Sequence, residues 1–335
     1  MSEARITQDG VRELTYGQAV KEAIAEEMRR DARVFLLGED VAEAGSTFKI
    51  FTGLVDEFGP ERVLDTPISE AGVTGLAVGA AMTGLRPIVD IMFGDFITLT
   101  MDQMVNQAAK IHYMSGGLWK VPMVMHTTLG ATRRSGSQHS QSLHAWFSHV
   151  PGLKVVLPSA PYDAKGLLKS AIRDDNPVVV FEDKMMYKMK GPVPDEDYTV
   201  PLGVADIKRA GTDISIVATS SMVQVALGAA AMLAEVGVSA EVVDPRTTWP
   251  LDEKTLIESA VKTSRVIVMD EGYGRYGVAA ELAAVIAEGA FYDLDKPVRR
   301  LCAMHVPIPF APPLEDATVP NEQLVFETAR EMCGA

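Results

Sequence analysis

Short runs of β-branched and aliphatic residues alternate with longer stretches whose apolar positions recur at helical spacing. In the first half, strands are predicted at Val34–Leu37, Pro87–Met92, Pro122–Met125, Lys154–Leu157 and Pro177–Phe181. Helices are predicted at Tyr16–Arg30, Gly72–Thr83, Asp102–Met114 and Asp163–Arg173. From Lys188 to Gly203 prolines interleave with acids, which predicts an exposed linker. Beyond it the alternation resumes. Strands are expected at Ile214–Ala218, Ala240–Val243, Arg265–Met269 and Arg299–Ala303, with helices at Val223–Val236 and Gly277–Glu288. Strand–helix alternation predicts an α/β fold with mostly parallel sheets covered on both faces. The expected organisation is a first domain over residues 12–187, a linker over 188–204 and a smaller α/β domain over 205–335.

Composition narrows the function. Hydrophobic residues are 47% and charged residues 23% of 335, the balance of a globular chain. A net charge of −14 argues against a nucleic-acid binder and suits a basic protein partner. The uncharged apolar stretch between Glu70 and Arg86 is too short and glycine-rich to cross a bilayer. The first residues, Met1 to Arg12, lack the apolar run of a signal peptide. Cys302 and Cys333 are too few for a disulfide scaffold, so a reducing cytoplasm is expected.

Three patterns carry candidate chemistry. Gly272-Tyr-Gly274-Arg-Tyr-Gly277 matches a dinucleotide-binding turn between a strand and a helix. The acidic residue that should follow the next strand is missing, since Arg299–Ala303 runs into Met304 and His305. A structural turn competes with an NAD-binding reductase there. His126, His139, His144 and His149 are spaced by 13, 5 and 5 residues, which suits no shared metal ion. His139, in Gln138–Gln141, reads either as a proton donor of an active-site loop or as a packed surface histidine. Glu39 and Glu70 end strand-like runs, where parallel sheets bind ligands; both also read as solvated or helix-capping carboxylates.

A set of longer motifs in order decides more. Val34–Asp40 (VFLLGED), Asp65–Glu70 (DTPISE), Gly84–Pro87 (GLRP), Asp102–Gly117, Gln138–Phe147 (QHSQSLHAWF), Pro151–Pro158 (PGLKVVLP), Asp163–Pro177 and Asp244–Leu251 (DPRTTWPL) resemble the β subunit of thiamine-diphosphate-dependent 2-oxo acid dehydrogenases. That family includes pyruvate, branched-chain 2-oxo acid and acetoin dehydrogenases. The resemblance implies a transketolase-like pyrimidine-binding domain followed by a transketolase C-terminal domain. It also implies an α2β2 assembly, because this chain has no Gly-Asp-Gly motif to hold magnesium and the cofactor diphosphate. Gly94-Asp95-Phe96 breaks that pattern. An unassisted scaffold role for an α subunit is the remaining alternative, and retention of Glu70 speaks against it.

By position, the resemblance implies that Glu70 hydrogen-bonds N1′ of the aminopyrimidine. Burial would raise its pKa and let it share the proton that favours the imino tautomer. Glu39 matches a second pocket acid. Ile68, Met92 and Phe96 complete the cofactor-binding set, and His139 matches the residue assisting acyl transfer to lipoyl. A potassium site is implied at Met123, Ala171 and Ile172, with Asp174 and Asn176 nearby. The C-terminal domain is expected to dock the peripheral-subunit-binding domain of a lipoyl acyltransferase, with Glu315, Asp316, Glu327 and Glu331 as candidate contacts. His126, the basic Thr132–Arg134 stretch and Met304–Phe310 depart from the common pattern, the last toward the acetoin version.

Overall fold

The computed structural model describes residues 5–6 and 12–335, and packing separates two units. One holds the chain up to Leu129 together with Trp146–Leu202; the other holds Gly130–Ala145 and Gly203–Ala335. Family of residues 130–145 with the second unit rests on contacts far apart in sequence, which no local pattern shows.

In the first unit β1 (Arg12–Thr15) leads directly into α1 (Tyr16–Arg30). The Thr15 hydroxyl accepts the Gln18 amide, and the Gln18 side chain accepts the Thr15 amide. This reciprocal cap satisfies donors that a helix start would otherwise leave unpaired. There follow β2 (Val34–Gly38), β3 (Val63–Asp65), α2 (Glu70–Met82), β4 (Arg86–Ile91) and β5 (Val124–Leu129). β6 (Lys154–Val156), α3 (Pro161–Arg173), β7 (Val178–Asp183) and β8 (Lys190–Pro192) complete the unit. The parallel strands lie side by side in the order β6-β7-β5-β4-β2-β3. β4, β5 and β7 are buried along their whole length, which is why they read as near-continuous apolar runs.

Val20, Ile24 and Met28 of α1 and Leu167 and Leu168 of α3 close one sheet face against Leu36, Ile88, Val124 and Val178. Each such side chain contributes about 1.5–3 kcal/mol by leaving water. Between the two helices Lys165 pairs with Glu22 at 2.6 Å and Glu26 at 2.7 Å. Lys169 pairs with Glu26 and Asp197, and Arg173 with Glu27 at 2.6 Å. Both lysines are fully buried. Such pairs add little net stability but are costly to break.

Two expectations change here. Asp102–Met114 is not one α-helix. Gly94–Thr100 is a 3-10 turn, Asp102–Ala108 is π-helical and only Ile111–Met114 is α-helical. Just beyond the π-helical turn the Ala109 carbonyl packs tightly on Gly152, where a Cβ would come within 2.0 Å. Nor is Lys188–Gly203 simply an exposed linker. β8 pairs antiparallel with β1, Val193 and Val200 are buried, and Asp197 meets Lys169. Its prolines sit where a strand edge and a packed return segment need no extra donors.

The second unit builds β9 (Asp206–Arg209), β10 (Ile214–Ala218), α4 (Met222–Glu235), β11 (Ala240–Asp244) and α5 (Glu253–Thr263). Then come β12 (Val266–Tyr273), α6 (Val278–Gly289), β13 (Arg299–Ala303), the short α7 (Pro312–Asp316) and α8 (Glu322–Cys333). Strand order is β9-β11-β10-β12-β13, parallel except for β9 at one edge. α4 and α8 share one core, and α5 and α6 another. α5 and α8 escape the periodicity reading, yet each opens on a side-chain cap: Asp252 accepts the Thr255 amide and Asn321 the Leu324 amide.

Candidate active site

The carboxyl ends of three neighbouring strands, β2, β3 and β4, deliver most of the candidate residues in the first unit. Glu39 follows β2, the Asp65–Glu70 segment links β3 to α2, and Met92 follows β4. Open parallel sheets bind ligands at these ends. Glu70 occupies the first turn of α2, where the helix dipole favours a negative charge. It is half-buried in this chain, and Ile68 is 83% exposed. Met92 accepts a contact from the Thr47 hydroxyl at 2.9 Å, and Phe96 packs edge-on against Phe93. Burial raises the Glu39 carboxyl above its usual range, helped by the negative charges of Glu70, Asp40 and Asp90. Gly38 lets β2 pass tightly by β4, because a Cβ there would meet the Asp90 carbonyl at 2.6 Å.

An acid at a helix start, a second acid that holds its proton more readily, and apolar walls suit an aminopyrimidine. None of these side chains carries a positive charge. Gly94-Asp95-Phe96 opens the 3-10 turn instead, and Gly94 is there because a Cβ would overlap the Thr128 carbonyl at 2.0 Å.

His139 belongs to the second unit, whereas Glu39, Glu70, Met92 and Phe96 belong to the first. Its amide donates to the Gly136 carbonyl at 3.2 Å. The potassium candidates are gathered at the end of α3. There the Arg86 guanidinium donates to the carbonyls of Ile172 at 3.3 Å and Asp174 at 2.8 Å. Lys154 pairs with the Asp174 carboxylate, whose other oxygen takes the Asn176 amide. The Met123 carbonyl accepts from the Val178 amide and that of Ala171 from the Asp174 amide. Each carbonyl keeps a second lone pair, the kind of oxygen donor a hard monovalent cation takes.

One cluster escaped sequence reasoning. His126 in β5 lies between Asp90 of β4, 2.6 Å from Nδ1, and Glu182 of β7, 3.0 Å from Nε2. All three are buried. Burial pushes the imidazole down, but Glu182 and Asp90 outweigh it and lift its pKa to about 10. Tyr187, also buried, is held well above the usual phenol range by desolvation and the same two carboxylates. The signal was there in part: Asp90 and His126 are partners in the β4–β5 ladder, which a strand alignment could have revealed.

The other motifs resolve as packing. In the Gly272–Gly277 turn a Cβ on Gly272 would meet Asp270 at 2.7 Å, and one on Gly277 the Tyr273 carbonyl at 2.0 Å. His144 pairs with Asp270 at 3.0 Å, and no group of metal-ligating side chains forms among the described residues. Glu315 cannot be a free docking acid: it is fully buried and pairs with Arg134 at 2.7 Å, because α7 turns it inward. Among the described residues no helix is long and apolar enough to cross a membrane.

Comparison with known proteins agrees with this architecture. Residues 12–190 match the family "Transketolase, pyrimidine binding domain" and residues 203–325 match "Transketolase, C-terminal domain". The chain is 49% identical to the acetoin:2,6-dichlorophenolindophenol oxidoreductase subunit beta of Bacillus subtilis, over 96% of this chain and 98% of that one. It is 45% identical to the 2-oxoisovalerate dehydrogenase subunit beta of the same organism, over 95% and 98%. It is 46% identical to the pyruvate dehydrogenase E1 component subunit beta of Rickettsia felis, over 96% and 98%. A solved split-gene transketolase, described as an inactive beta4 tetramer, shares the fold with a TM-score of 0.78 at 22% identity, over 96% and 98%. Two transketolase-type domains in order, and relatives matched over nearly their whole length, place this chain among the β subunits of thiamine-diphosphate-dependent 2-oxo acid and acetoin dehydrogenases.

Proposed function

We propose that this chain, completed by an α subunit as an α2β2 heterotetramer, oxidatively decarboxylates a 2-oxo acid such as pyruvate, or cleaves acetoin, and passes the acyl group to lipoyl. The observation that carries the reading is the half-site itself: Glu70 at the start of α2, with Glu39, Ile68, Met92 and Phe96, suits the pyrimidine half of the cofactor only. Thiamine diphosphate, when bound, supplies a carbon nucleophile. Glu70 holds a proton with N1′ of its pyrimidine, Glu39 serves as a proton-bearing acid beside it, and Met92 and Phe96 exclude water. Magnesium and the diphosphate belong to the α subunit, since no Gly-Asp-Gly motif occurs here.

The partner surface is supported by what the first unit leaves uncovered. Ile68, Leu76, Leu99, Tyr113, Met114 and Leu118 are all more than half exposed. Exposed large apolar side chains become an interaction site where they adjoin, and this set is the part of the first unit proposed to meet a partner. Along α2, Gly72, Gly75 and Gly79 are exposed, and a Cβ on Gly79 would touch nothing within 4 Å of its own chain. That glycine meets no need of this fold and leaves room for another backbone. The potassium set, Met123, Ala171, Ile172, Asp174 and Asn176, stays part of the proposal, as does docking of a basic acyltransferase domain through the exposed Asp316, Glu327 and Glu331. The two partly buried free cysteines, Cys302 and Cys333, suit a reducing cytoplasm.

The test is Glu70→Gln in the co-expressed heterotetramer. Turnover falls at least ~100-fold while assembly is kept, as expected when a proton-transfer group is removed. Near-wild-type turnover overturns the role of Glu70. The isolated chain with thiamine diphosphate and magnesium decarboxylates nothing; activity free of any α subunit by mass spectrometry overturns the half-site.

A further inference from the structure

Residues 130–145 carry His139, and the second unit fixes them by side chains that have no other task in the mechanism. The Ala131 amide donates to Glu271 Oε1 at 2.5 Å. The Arg134 amide donates to the Glu315 carboxylate at 3.1 Å, and its guanidinium reaches Glu315 at 2.7 Å and Asp316 at 2.7 Å. The Ser137 hydroxyl donates to the Ile308 carbonyl at 2.8 Å, and His144 pairs with Asp270 at 3.0 Å. Glu271, Glu315, Asp270 and His144 are all buried. A buried carboxylate that accepts both an amide and a guanidinium from one residue is a strong and directional anchor.

The loop needs such an anchor. Between Gly130 and Gly136, Thr132 has φ of 64° and Arg134 φ of 61°, left-handed conformations that residues with a Cβ avoid. The chain therefore follows this path only where side-chain contacts hold it. The Gly136–His139 turn closes directly after the Arg134 anchor, so the anchor sets where the histidine stands.

We propose that Arg134 and Glu315 form a latch that positions His139 for acyl transfer, Arg134 being a positioning residue rather than a catalytic one. The proposal rests on the acyl-transfer reading of His139. Asp316 assists from the same helix, so α7 acts in the reaction and not only on the surface.

The experiment uses the co-expressed heterotetramer carrying Arg134→Met, Arg134→Lys, Glu315→Gln or His139→Ala. Hydrogen exchange of the 131–142 peptides reports the latch. Acyl transfer to an isolated lipoyl domain is compared with turnover using 2,6-dichlorophenolindophenol, which bypasses lipoyl. In Arg134→Met the peptides exchange at least ~10-fold faster and kcat/KM for the lipoyl domain falls by about 10-fold, the scale of one charge-assisted hydrogen bond. Dye-linked turnover changes less than ~2-fold. Arg134→Lys recovers part of the transfer rate, because a point charge replaces the fork incompletely. Glu315→Gln behaves as Arg134→Met; should it fail to assemble, the half-exposed Arg134 still decides. Unchanged exchange in Arg134→Met overturns the latch. Faster exchange with transfer intact overturns positioning if His139→Ala is impaired, and overturns the acyl-transfer reading itself if His139→Ala is not.

Discussion

His126 is a charged group in a place where a charge survives only with partners. Two carboxylates from neighbouring strands hold it, at 2.6 and 3.0 Å, and raise its pKa to about 10 from an unfolded value near 6.5. A group whose folded pKa is raised contributes its full stability below about pH 6.5 and loses it as pH climbs through about 10. Stability, followed as the urea midpoint of the assembled enzyme, falls between pH 7 and 10 on this account. The variant His126→Leu starts lower, because Asp90 and Glu182 are left buried without their cation, and its midpoint varies less over the same range. A midpoint flat in pH for the wild type, or a variant as stable as the wild type at pH 7, removes the charged state of His126. Asp90 belongs to this cluster and is also one of the negative charges that raise the Glu39 carboxyl.

At the scale of elements, α2 is built for two neighbours. Val73, Thr74, Ala77, Val78 and Ala81 face its own sheet and are buried, while Gly72, Gly75, Leu76 and Gly79 face outward. Glycine inside a helix costs up to ~1 kcal/mol relative to alanine; Gly72 offsets this by clearing the Ser69 hydroxyl, which a Cβ would meet at 2.8 Å, whereas Gly79 has nothing within 4 Å. Gly79→Leu therefore stabilises the isolated chain by several tenths of a kcal/mol, about the propensity difference, yet prevents association with the α subunit. Circular dichroism and analytical ultracentrifugation separate the two effects. Normal assembly of the variant dismisses α2 as a close-packed contact. The pair α1 and α3 shows the opposite economy, with Lys165 and Lys169 sealed among Glu22, Glu26 and Asp197. Lys165→Met costs about 1.5–3 kcal/mol in urea unfolding, the scale of a charge-assisted hydrogen bond, because the half-buried Glu22 keeps Arg12 and Glu26 keeps Lys169; a loss under ~0.5 kcal/mol would show that those remaining cations suffice.

On the scale of the whole molecule, charge and cations govern what the chain associates with. The net charge of −14 is not spread as free acid, since Glu315 is consumed by Arg134 inside the second unit. Asp316 is likewise held by Arg134 at 2.7 Å, so docking of a basic acyltransferase domain responds chiefly to reversal of the exposed Glu327 and Glu331, and weakens as salt screens them over a Debye length of about 8 Å at physiological ionic strength. Affinity measured by calorimetry that ignores both salt and these reversals refutes electrostatic docking. Replacing sodium by potassium raises the thermal midpoint through mass action, a stabilisation of about 1.4 kcal/mol at ten times the dissociation constant, and Asp174→Ala abolishes the difference. Equal midpoints in the two salts leave Arg86 and Lys154 as the cations of that helix end.

Residue order by itself determined the fold class, because burial on two faces forces apolar runs into strands such as β5 and β7, and a single face forces helical spacing into α1 and α3. It also marked Glu39 and Glu70 beside strand ends, while their proposed role at a pyrimidine came from the longer motifs and not from that pattern. The periodicity reading missed α5 and α8, whose buried positions at helical spacing include polar residues such as Ser259, Thr263 and Thr328, and it did not foresee the π-helical turn at Asp102–Ala108. Only tertiary structure decided that residues 130–145 join the second unit, that Glu315 is an anchor rather than a docking acid, and that His126 is a buried cation. The physical reason is common to all three. A charge declares its role through its partner, and here Arg134 and Glu315 stand 181 residues apart, while His126 waits for Asp90 and Glu182 on strands that meet only in the folded sheet.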